Sequence, residues 1–283
     1  VVDPFLGGHA AGETPNPCVN CNGHVRLDAM LAYADALGAA DLATGHYARR
    51  SADGLLRAAA DPAKDQTYML AAVAPATLAR LRFPLGELTK PRVRELAAEA
   101  GMPVASRADS QDLCFLAGTG KAAFLARHGA LGDVPGDIVD AAGRVLGAHR
   151  GAHHFTIGQR KGIGVGAAEP LYVLRTERSA NRVVVGPRAA LATRTVAVRG
   201  ARLHRDAAAV DRVKLRYRSR PVGCRVMGDG LAAGFHPRLE LELDEPVDGA
   251  APGQTACLLA GEVVVGWATI GAAQRPASST SAT

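Results

Sequence analysis

The sequence has few aromatic residues and no long apolar segment. Phenylalanine, tryptophan and tyrosine make up 4% of its 283 residues, so we expect any contact with nucleic acid to depend mainly on lysine, arginine and shape rather than on extensive base stacking. No stretch approaches the roughly 18 consecutive apolar residues of a membrane span, and no charged-then-apolar signal segment is present. These absences predict a cytoplasmic protein without a membrane partner.

Cysteine is also scarce, and its number is odd. Five cysteines in a chain of this size do not make a disulfide framework, and one thiol at least must remain unpaired. We therefore expect reduced thiols that are used individually. They are Cys18, Cys21, Cys114, Cys224 and Cys257.

The charge balance is mildly basic, with a formal net charge of +6 and a pI of about 9.3. Such a balance favours a polyanionic partner, although many basic cytosolic proteins share it. With 48% hydrophobic residues, the chain can bury a substantial core as one large domain or as two to three smaller ones.

The first 130 residues have the pattern of an α/β layer. A helix that ends at Gly38 is predicted by apolar residues at helical spacing, namely Leu27, Met30, Leu31, Ala34 and Leu37. The segment "DLATGHY" predicts a short strand with a functional loop after it. Residues 67–81 are predicted to be helical, and a further helix is predicted from Thr89 and Pro91 to Gly101.

After residue 130 the pattern is β-rich. "GDIVDAAGRVLG" predicts a hairpin, and the later short segments are typical of a small barrel or sandwich. These segments are "LYVLR", "RVVVG", "RTVAVRG", "VKLRYRS", "CRVM", "RLELEL", "ACLLA" and "EVVVGWATI". Residues 273–283 have no hydrophobic pattern and are predicted to be disordered.

Two cysteine motifs could carry chemistry. In "GETPNPCVNCN", Pro15 and Pro17 stiffen the chain before Cys18 and Cys21, which predicts a preorganised loop that presents thiols. The C-x-x-C could also be half a zinc site, a redox pair or a buried structural pair. Zinc is disfavoured because a second C-x-x-C is missing and His24 completes no familiar ligand set. We predict no metal site.

The second motif is "SRADSQDLCFLAG", in which the apolar "FLAG" could anchor the segment that carries Cys114. By composition alone, Cys114 is more typical of a core residue than of a catalyst. It becomes a candidate only when it is considered together with Cys21.

Three loops contain candidate ligand contacts. Gly45 would let a ligand approach the backbone after the predicted strand, next to His46. Lys64, Asp65 and Gln66 precede a helix and could contact phosphate or ribose, or they could be a solvated helix start. Gln254 in "PGQTACLL" could recognise a ligand through its polar side chain, or it could be an ordinary turn residue.

Two basic segments could contact RNA. Strand periodicity in "VKLRYRSR" predicts one uniformly cationic face, and we favour a phosphate-binding role for it. That face would consist of Lys214, Arg216, Arg218 and Arg220. "HHFTIGQRKGIGVG" lacks the context of a P-loop or dinucleotide fingerprint and is interpreted as a glycine-rich basic turn against RNA backbone.

Taken in order, these segments resemble the bacterial tRNA-specific 2-thiouridylases over about residues 10 to 270. The resemblance is specific because many motifs that are individually weak occur in one order. They are "TPNPCVNCN", "TGHYAR", "KDQTYML", "FPLGELTKPRVRELA", "DSQDLCFL", "HHFTIGQRKGIGVG", "EPLYVL" with "NRVVVG", "LRYRS" and "PGQTACLL".

The resemblance implies a fold of class α/β plus β in three parts. Residues 1–130 would form the remainder of an adenine-nucleotide alpha-hydrolase-like (ATP pyrophosphatase) catalytic domain. Residues 131–190 would form a small central domain, and residues 191–272 a C-terminal β-barrel that binds tRNA.

The resemblance also implies a reaction. In that family, ATP, expected with Mg²⁺, adenylates the C2 oxygen of the wobble uridine, and sulfur then displaces AMP. Cys114 would carry a persulfide supplied by a cysteine desulfurase or a sulfur-relay protein. Cys21 would be the second catalytic thiol, which either releases sulfide or forms a disulfide with Cys114.

Further residues receive roles from the same resemblance. Gly45 would lie against the nucleotide, and the other residues would contact tRNA. These are Asn16, Pro17 and Cys18 at the target base, His46 and Gln254 near the tRNA, and Lys64, Asp65, Gln66, Arg216 and Tyr217 on its backbone.

The sequence departs from the family pattern in two ways. It contains no Ser-Gly-Gly-x-Asp-Ser loop for the ATP pyrophosphate and begins at Val1, so we expect a fragment that is inactive by itself. Cys18 stands where the family often has Asp, and Cys18, Asp109 or Asp112 could take over the proton transfer. Two alternatives stay open: another ATP-pyrophosphatase ligase that acts on a small molecule, and a non-catalytic RNA-binding remnant.

Overall fold

The computed structural model describes residues 1–107, 113–116, 118–129 and 131–272. Asp109, Asp112 and the tail 273–283 lie outside the described residues. Within the described part of the chain, no helix has the length and apolar character needed to cross a membrane.

Short helices dominate the first part of the chain. They are α1 (Val2–Ala10), α2 (Pro17–Cys21), α3 (Leu27–Ala36), α4 (Thr67–Leu70), α5 (Pro75–Ala79), α6 (Lys90–Glu99) and α7 (Lys121–Gly129). A π-helical turn, Asn22–Arg26, joins α2 to α3. A parallel pair of strands, β1 (Leu42–Ala43) and β4 (Leu81–Arg82), completes an α/β layer. The predicted α/β class is therefore confirmed.

The predicted helix before Gly38 is α3, and its buried face is only part of the predicted one. Leu27, Leu31 and Ala34 are buried, whereas the side chains of Met30 and Leu37 are exposed. Gly38 ends the helix with a φ of 70°, a conformation that glycine adopts without steric cost.

Residues 67–81 do not form one helix. They contain α4 and α5, which are separated because a residue that precedes proline avoids helical backbone angles. Ala74, before Pro75, accordingly has extended angles of −65° and 145°. The helix from Thr89 is confirmed as α6, with Thr89 at the N-cap and Gly101 just beyond its end.

A four-stranded sheet follows, in the order β6-β5-β8-β7. Its strands are β5 (Gly136–Val139), β6 (Val145–His149), β7 (Tyr172–Glu177) and β8 (Arg182–Gly186). β5 and β6 form the predicted hairpin.

The last part of the chain forms a closed β-barrel. Its strands are β9 (Ala192–Leu203), β10 (Arg212–Lys214), β11 (Val222–Val226), β12 (Gly234–Asp248), β13 (Thr255–Ala260) and β14 (Val263–Ile270). The order β13-β10-β11-β12-β9-β14 closes because β13 also pairs with β14. An early hairpin, β2 (Arg49–Arg50) and β3 (Leu56–Arg57), extends the sheet from β14. The predicted barrel is therefore confirmed.

The helical part and the barrel share a core. Leu27, Tyr68 and Leu81 pack in one buried cluster with Cys257 and Val264 of the barrel. Tyr68 is fully buried, and its hydroxyl donates a hydrogen bond to the carbonyl of Thr255 at 2.9 Å. This shared core fixes the position of the early helices relative to the barrel.

Candidate active site around the thiols

The thiols of Cys18 and Cys21 lie on a helix rather than on the predicted loop. Pro17 occupies the first turn of α2, where its missing N–H costs nothing. The side chain of Asn16 caps the helix by accepting the N–H of Cys18 at 3.1 Å, which satisfies one of the free donors of the helix start. Cys18 and Cys21 are therefore about one helical turn apart, and both are half-buried.

The π-helical turn after Cys21 fits closely against α4. Asn22 is buried and donates a hydrogen bond to the carbonyl of Met69 at 3.2 Å. A Cβ atom on Gly23 would lie 2.6 Å from the Cβ of Ala72. The backbone can approach this closely only because residue 23 is glycine. π-Helical turns are rare and are frequent at functional sites.

Cys114 is exposed and lies at the start of a 3₁₀ turn, Cys114–Leu116. The predicted anchoring is confirmed for the next two residues. The ring of Phe115 lies 5.2 Å from that of Phe5, and Leu116 is buried in the cluster of α1 and α7 side chains. An apolar anchor thus holds an exposed thiol in place.

The three candidate thiols lie close enough for the charges of Cys114 and Cys21 to act on Cys18. Burial raises the pKa of the Cys18 thiol, and the negative charges of Cys114 and Cys21 raise this pKa further, while Arg26 opposes them. Charges act on one another in this way only over short distances. All five cysteines are free, so the disulfide between Cys21 and Cys114 that the resemblance implied is not found.

Arg26 was missed by the sequence analysis. It is the cation that acts on both Cys18 and His46. The available signal was its position five residues after Cys21, in the same helical segment. A cation beside thiols stabilises their thiolate forms.

His46 and Gly45 follow β1 at the edge of the site. The side chain of His46 bonds to Thr44 through Oγ1 and Nδ1, 2.8 Å apart. Burial, followed by the charge of Arg26, lowers the pKa of His46 to about 4, so this ring is neutral at pH 7. Gly45 is exposed, and the nearest atom to an added Cβ would be 3.9 Å away, on Leu85. The backbone there is open to a ligand.

Asp65 and Gln66 stabilise their own loop. Asp65 accepts the N–H of Ala59 at 3.1 Å and the hydroxyl of Thr67 at 2.8 Å. Gln66 and Tyr47 exchange two hydrogen bonds, each 2.9 Å long. Lys64, the third member of the predicted contact, is half-buried beside them. The predicted tRNA contacts of Lys64, Asp65 and Gln66 stay predictions.

The predicted cationic strand face is wrong. β10 ends at Lys214, and Lys214 lies 3.7 Å from the carboxylate of Asp65 in a site where both side chains are largely buried. Arg216 is in a turn, which is closed by Ser219 through a 3.2 Å bond from the N–H of Arg216. Because residues 216–219 have left the strand, Arg216, Arg218 and Arg220 do not share a strand face with Lys214.

Arg216 and Tyr217 instead lie where three parts of the chain meet. Arg216 donates to the carbonyls of Ile157 at 3.3 Å and Gly249 at 3.2 Å, which joins the glycine-rich turn to the barrel. Tyr217 packs against the shared core, with its ring 6.2 Å from that of Tyr68. Their predicted contact with tRNA stays a prediction.

Gln254 and its neighbours fasten the segment before α2 to the barrel. The side-chain amide of Gln254 donates to the carbonyl of Thr14, and the N–H of Thr14 donates to the carbonyl of Pro252 at 2.7 Å. Arg199 on β9 pairs with Glu13 at 2.8 Å. The barrel thus positions the start of α2 (Pro17–Cys21), which we call the thiol helix. Among the described residues, no group of three or more His, Cys, Asp or Glu side chains could hold a metal ion.

Three domain families match consecutive parts of the chain. Residues 1–118 match the tRNA methyl transferase HUP domain, residues 122–187 the tRNA methyl transferase PRC-barrel domain, and residues 201–270 the aminomethyltransferase beta-barrel domain. The class is therefore a HUP-domain protein that continues into two β-domains and carries converging thiols at the HUP domain.

Individual relatives narrow this class. The tRNA-specific 2-thiouridylase MnmA of Methylorubrum extorquens is 45% identical over 269 residues, which are 92% of this chain and 69% of the relative. The protein of the same name from Xanthobacter autotrophicus is 44% identical over 296 residues, 99% of this chain and 75% of the relative. A bifunctional protein NifU/MnmA of Rubrobacter xylanophilus is 44% identical over 256 residues, 90% of this chain and 51% of the relative. The chain belongs to the family of the tRNA-specific 2-thiouridylases, MnmA.

Proposed function

We propose that this chain carries the thiols of an ATP-dependent tRNA-uridine 2-sulfurtransferase that acts on the wobble uridine. The single observation that supports this most is the convergence of Cys18 and Cys21 with Cys114, which follows them by more than 90 positions in the sequence. The names of the relatives, with identities of 44–45%, point to the same substrate class.

In this proposal, Cys114 accepts sulfur as a persulfide from a cysteine desulfurase or a sulfur-relay protein. The exposure of Cys114 suits a transfer between two proteins. The terminal sulfur forms a bond to C2 of the uridine, and AMP leaves with the former C2 oxygen. The thiolate of Cys21 then attacks Sγ of Cys114, so that a Cys21–Cys114 disulfide forms and the thiolated uridine is released. A persulfide and a thiolate are both strong nucleophiles near neutral pH.

ATP would supply the activation that turns the C2 oxygen into a leaving group. The open backbone at Gly45, just beyond β1, fits an approach of the nucleotide. Arg26, the cation that acts on Cys18 and His46, would attract the anionic groups of the substrate. Burial raises the pKa of Cys18, so its thiol stays protonated and could donate a proton where the family often has Asp.

The same proposal assigns the tRNA contacts and the domain limits. Asn16, Pro17 and Cys18 would lie at the target base. The other proposed tRNA contacts are His46, Lys64, Asp65, Gln66, Arg216, Tyr217 and Gln254. The catalytic part would extend to residue 130, the central domain to residue 190 and the barrel to residue 272.

Deletion of the gene tests the function directly. We expect 2-thiouridine to disappear from the tRNA nucleosides measured by mass spectrometry, and the unchanged gene to restore it. Versions with Cys21→Ala or Cys114→Ala should restore none, because either change removes one sulfur of the proposed exchange. Cys224→Ala is the matched control, since Cys224 is buried in the barrel core. Undiminished 2-thiouridine in the deletion strain would refute the proposed function.

A further inference from the structure

A row of three large side chains crosses the outer face of the barrel. Phe235 on β12 pairs directly with Arg202 on β9, and Arg202 pairs with Trp267 on β14. The guanidinium carbon of Arg202 lies 5.0 Å from the centroid of the Phe235 ring, within the range of a cation–π contact. Phe235 is nonetheless 55% exposed. The row therefore presents an aromatic surface and a planar cation to solvent.

A bulge adds two more arginines to this face. Side chains three positions apart on a regular strand point to opposite faces, yet Arg199 and Arg202 are both exposed, whereas Val198 and Ala201 are buried in the barrel core. Gly200 between them has a φ of 60°, which is typical of the extra residue in a bulge. Arg238 on β12 lies directly opposite Arg199.

These arginines carry more positive charge than their neighbours neutralise. Arg199 pairs with Glu13, and Glu240 is the next carboxylate along β12. Among the residues that the structure describes, Arg238 forms no ion pair. Like charges directly opposite each other on a sheet repel, so an anion across Arg199 and Arg238 would stabilise the pair.

The row begins at the thiol helix. The ring of Trp267 is half-buried and lies 5.9 Å from that of His24. His24 follows Cys21 by three positions, in the π-helical turn that continues α2, so the row begins next to the segment that carries Cys18 and Cys21. From Trp267 to Phe235 the row crosses two strand spacings, about 10 Å.

We propose that this surface binds the unpaired nucleotides of the RNA next to the nucleotide held at the thiols. We call it the aromatic–arginine row: Phe235, Arg202, Trp267, Arg199 and Arg238. A base stacks on Phe235 and Arg202, and phosphates lie against Arg199 and Arg238. Planar cations and aromatic rings bind unpaired bases by stacking. The inference rests on the proposed function, because it takes the RNA substrate from there.

Binding of tRNA to the full chain tests this surface. The probe is a fluorescently labelled tRNA with a wobble uridine, and anisotropy is measured at several salt concentrations. Phe235→Ala should weaken binding by about 5- to 150-fold, the loss of one stacked base. Arg238→Ala should lower the slope of log K against log salt by about 0.7 to 0.9, the value for one phosphate contact.

Two controls separate stacking from charge. A blunt RNA duplex offers no unpaired base, so its affinity should be insensitive to Phe235→Ala. Arg225→Ala removes another exposed arginine, which lies on β11 and pairs with Glu242 of β12. Because Glu242 lies about 24 Å along β12 from Phe235, this change should leave tRNA affinity unchanged.

The outcomes distinguish the two proposals. If the unchanged chain binds tRNA and the Phe235 and Arg238 variants bind it equally well, the aromatic–arginine row is refuted and the proposed function stands. If the deletion strain keeps its 2-thiouridine, the proposed function is refuted independently of this surface. If the unchanged chain does not bind tRNA, the surface is refuted as well. Circular dichroism melting of each variant shows that weakened binding does not come from unfolding.

Discussion

Replacement of Gly23 with alanine tests how the thiol helix is held. The new Cβ would lie 2.6 Å from the Cβ of Ala72 and 2.9 Å from its carbonyl carbon and oxygen. Two of these three atoms belong to the backbone, so a rotamer change cannot relieve the clash. The π-helical turn or the segment just after α4 that carries Ala72 must move, and Cys21 lies directly before that turn.

The expected cost follows from two opposing effects. Overpacking of a well-packed core costs about 1–3 kcal/mol. Alanine in place of a helical glycine recovers about 0.5–1 kcal/mol of backbone entropy. The two ranges leave a net loss of about 0–2.5 kcal/mol, so we expect Gly23→Ala to lower the free energy of unfolding by roughly 1 kcal/mol.

Gly7→Ala is the matched control. Gly7 is an exposed residue of α1, and an added Cβ there would meet no atom within 4 Å. The same substitution should therefore raise the free energy of unfolding by about 0.5–1 kcal/mol. Urea denaturation, with the slope m unchanged, measures both variants. Stabilisation of both by the same amount would show that the contact between Gly23 and Ala72 is not tight, and the account of the thiol helix would be wrong.

Two further predictions concern the buried titratable groups. Burial raises the pKa of Cys224 and of Cys257 to about 12. Iodoacetamide at pH 8 should therefore label the exposed Cys114 in the folded chain, and should label Cys224 and Cys257 only after unfolding. Peptide mass mapping that finds Cys224 or Cys257 labelled before Cys114 would contradict their burial. Burial, followed by the charge of Lys121, lowers the pKa of His9 to about 4. Between pH 6.5 and pH 4 the unfolded chain therefore binds more protons than the folded chain. The free energy of unfolding should fall as the pH falls through this window, by up to about 3 kcal/mol from His9 alone. His9→Gln should reduce this pH dependence in urea titrations, and an unchanged dependence would show that His9 is not buried in its neutral form.

Residue patterns within short segments were sufficient to predict individual helices and strands. The spacing of Leu27, Leu31 and Ala34 was sufficient for α3, because a helical stripe is repeated every three to four residues. The strands of the barrel were equally visible from their short β-rich segments between turns. Met30 and Leu37 fit the same apolar pattern and are exposed, since periodicity does not show how wide the covered stripe is.

The wrong predictions concern segments whose residues are compatible with two different local structures. Pro17 was interpreted as a stiffener of a loop, but proline fits equally well in the first turn of a helix, and Asn16 before it is a favourable cap. The run from Lys214 to Arg220 alternates as a strand does, yet Ser219 closes a turn within it. Periodicity alone cannot distinguish these cases, because the deciding hydrogen bonds involve the turn itself.

The convergence of the thiols could not have been predicted from spacing, since it depends on contacts across the whole chain. Thr14 is held by Pro252 and Gln254, which lie some 240 positions away in the sequence, and Cys114 is held through Phe115 against Phe5 of α1. The segment that bears Cys18 and Cys21 is thus fixed from the barrel, while Cys114 is fixed from α1. The two supports also meet, because the N–H of Glu13, in the segment before α2, donates to the carbonyl of Gly8 on α1 at 2.9 Å. A change at Gln254 should therefore displace Cys18 and Cys21 more than Cys114. The geometry of the site is therefore a property of the assembled domains, although each of its residues can be recognised in a short motif.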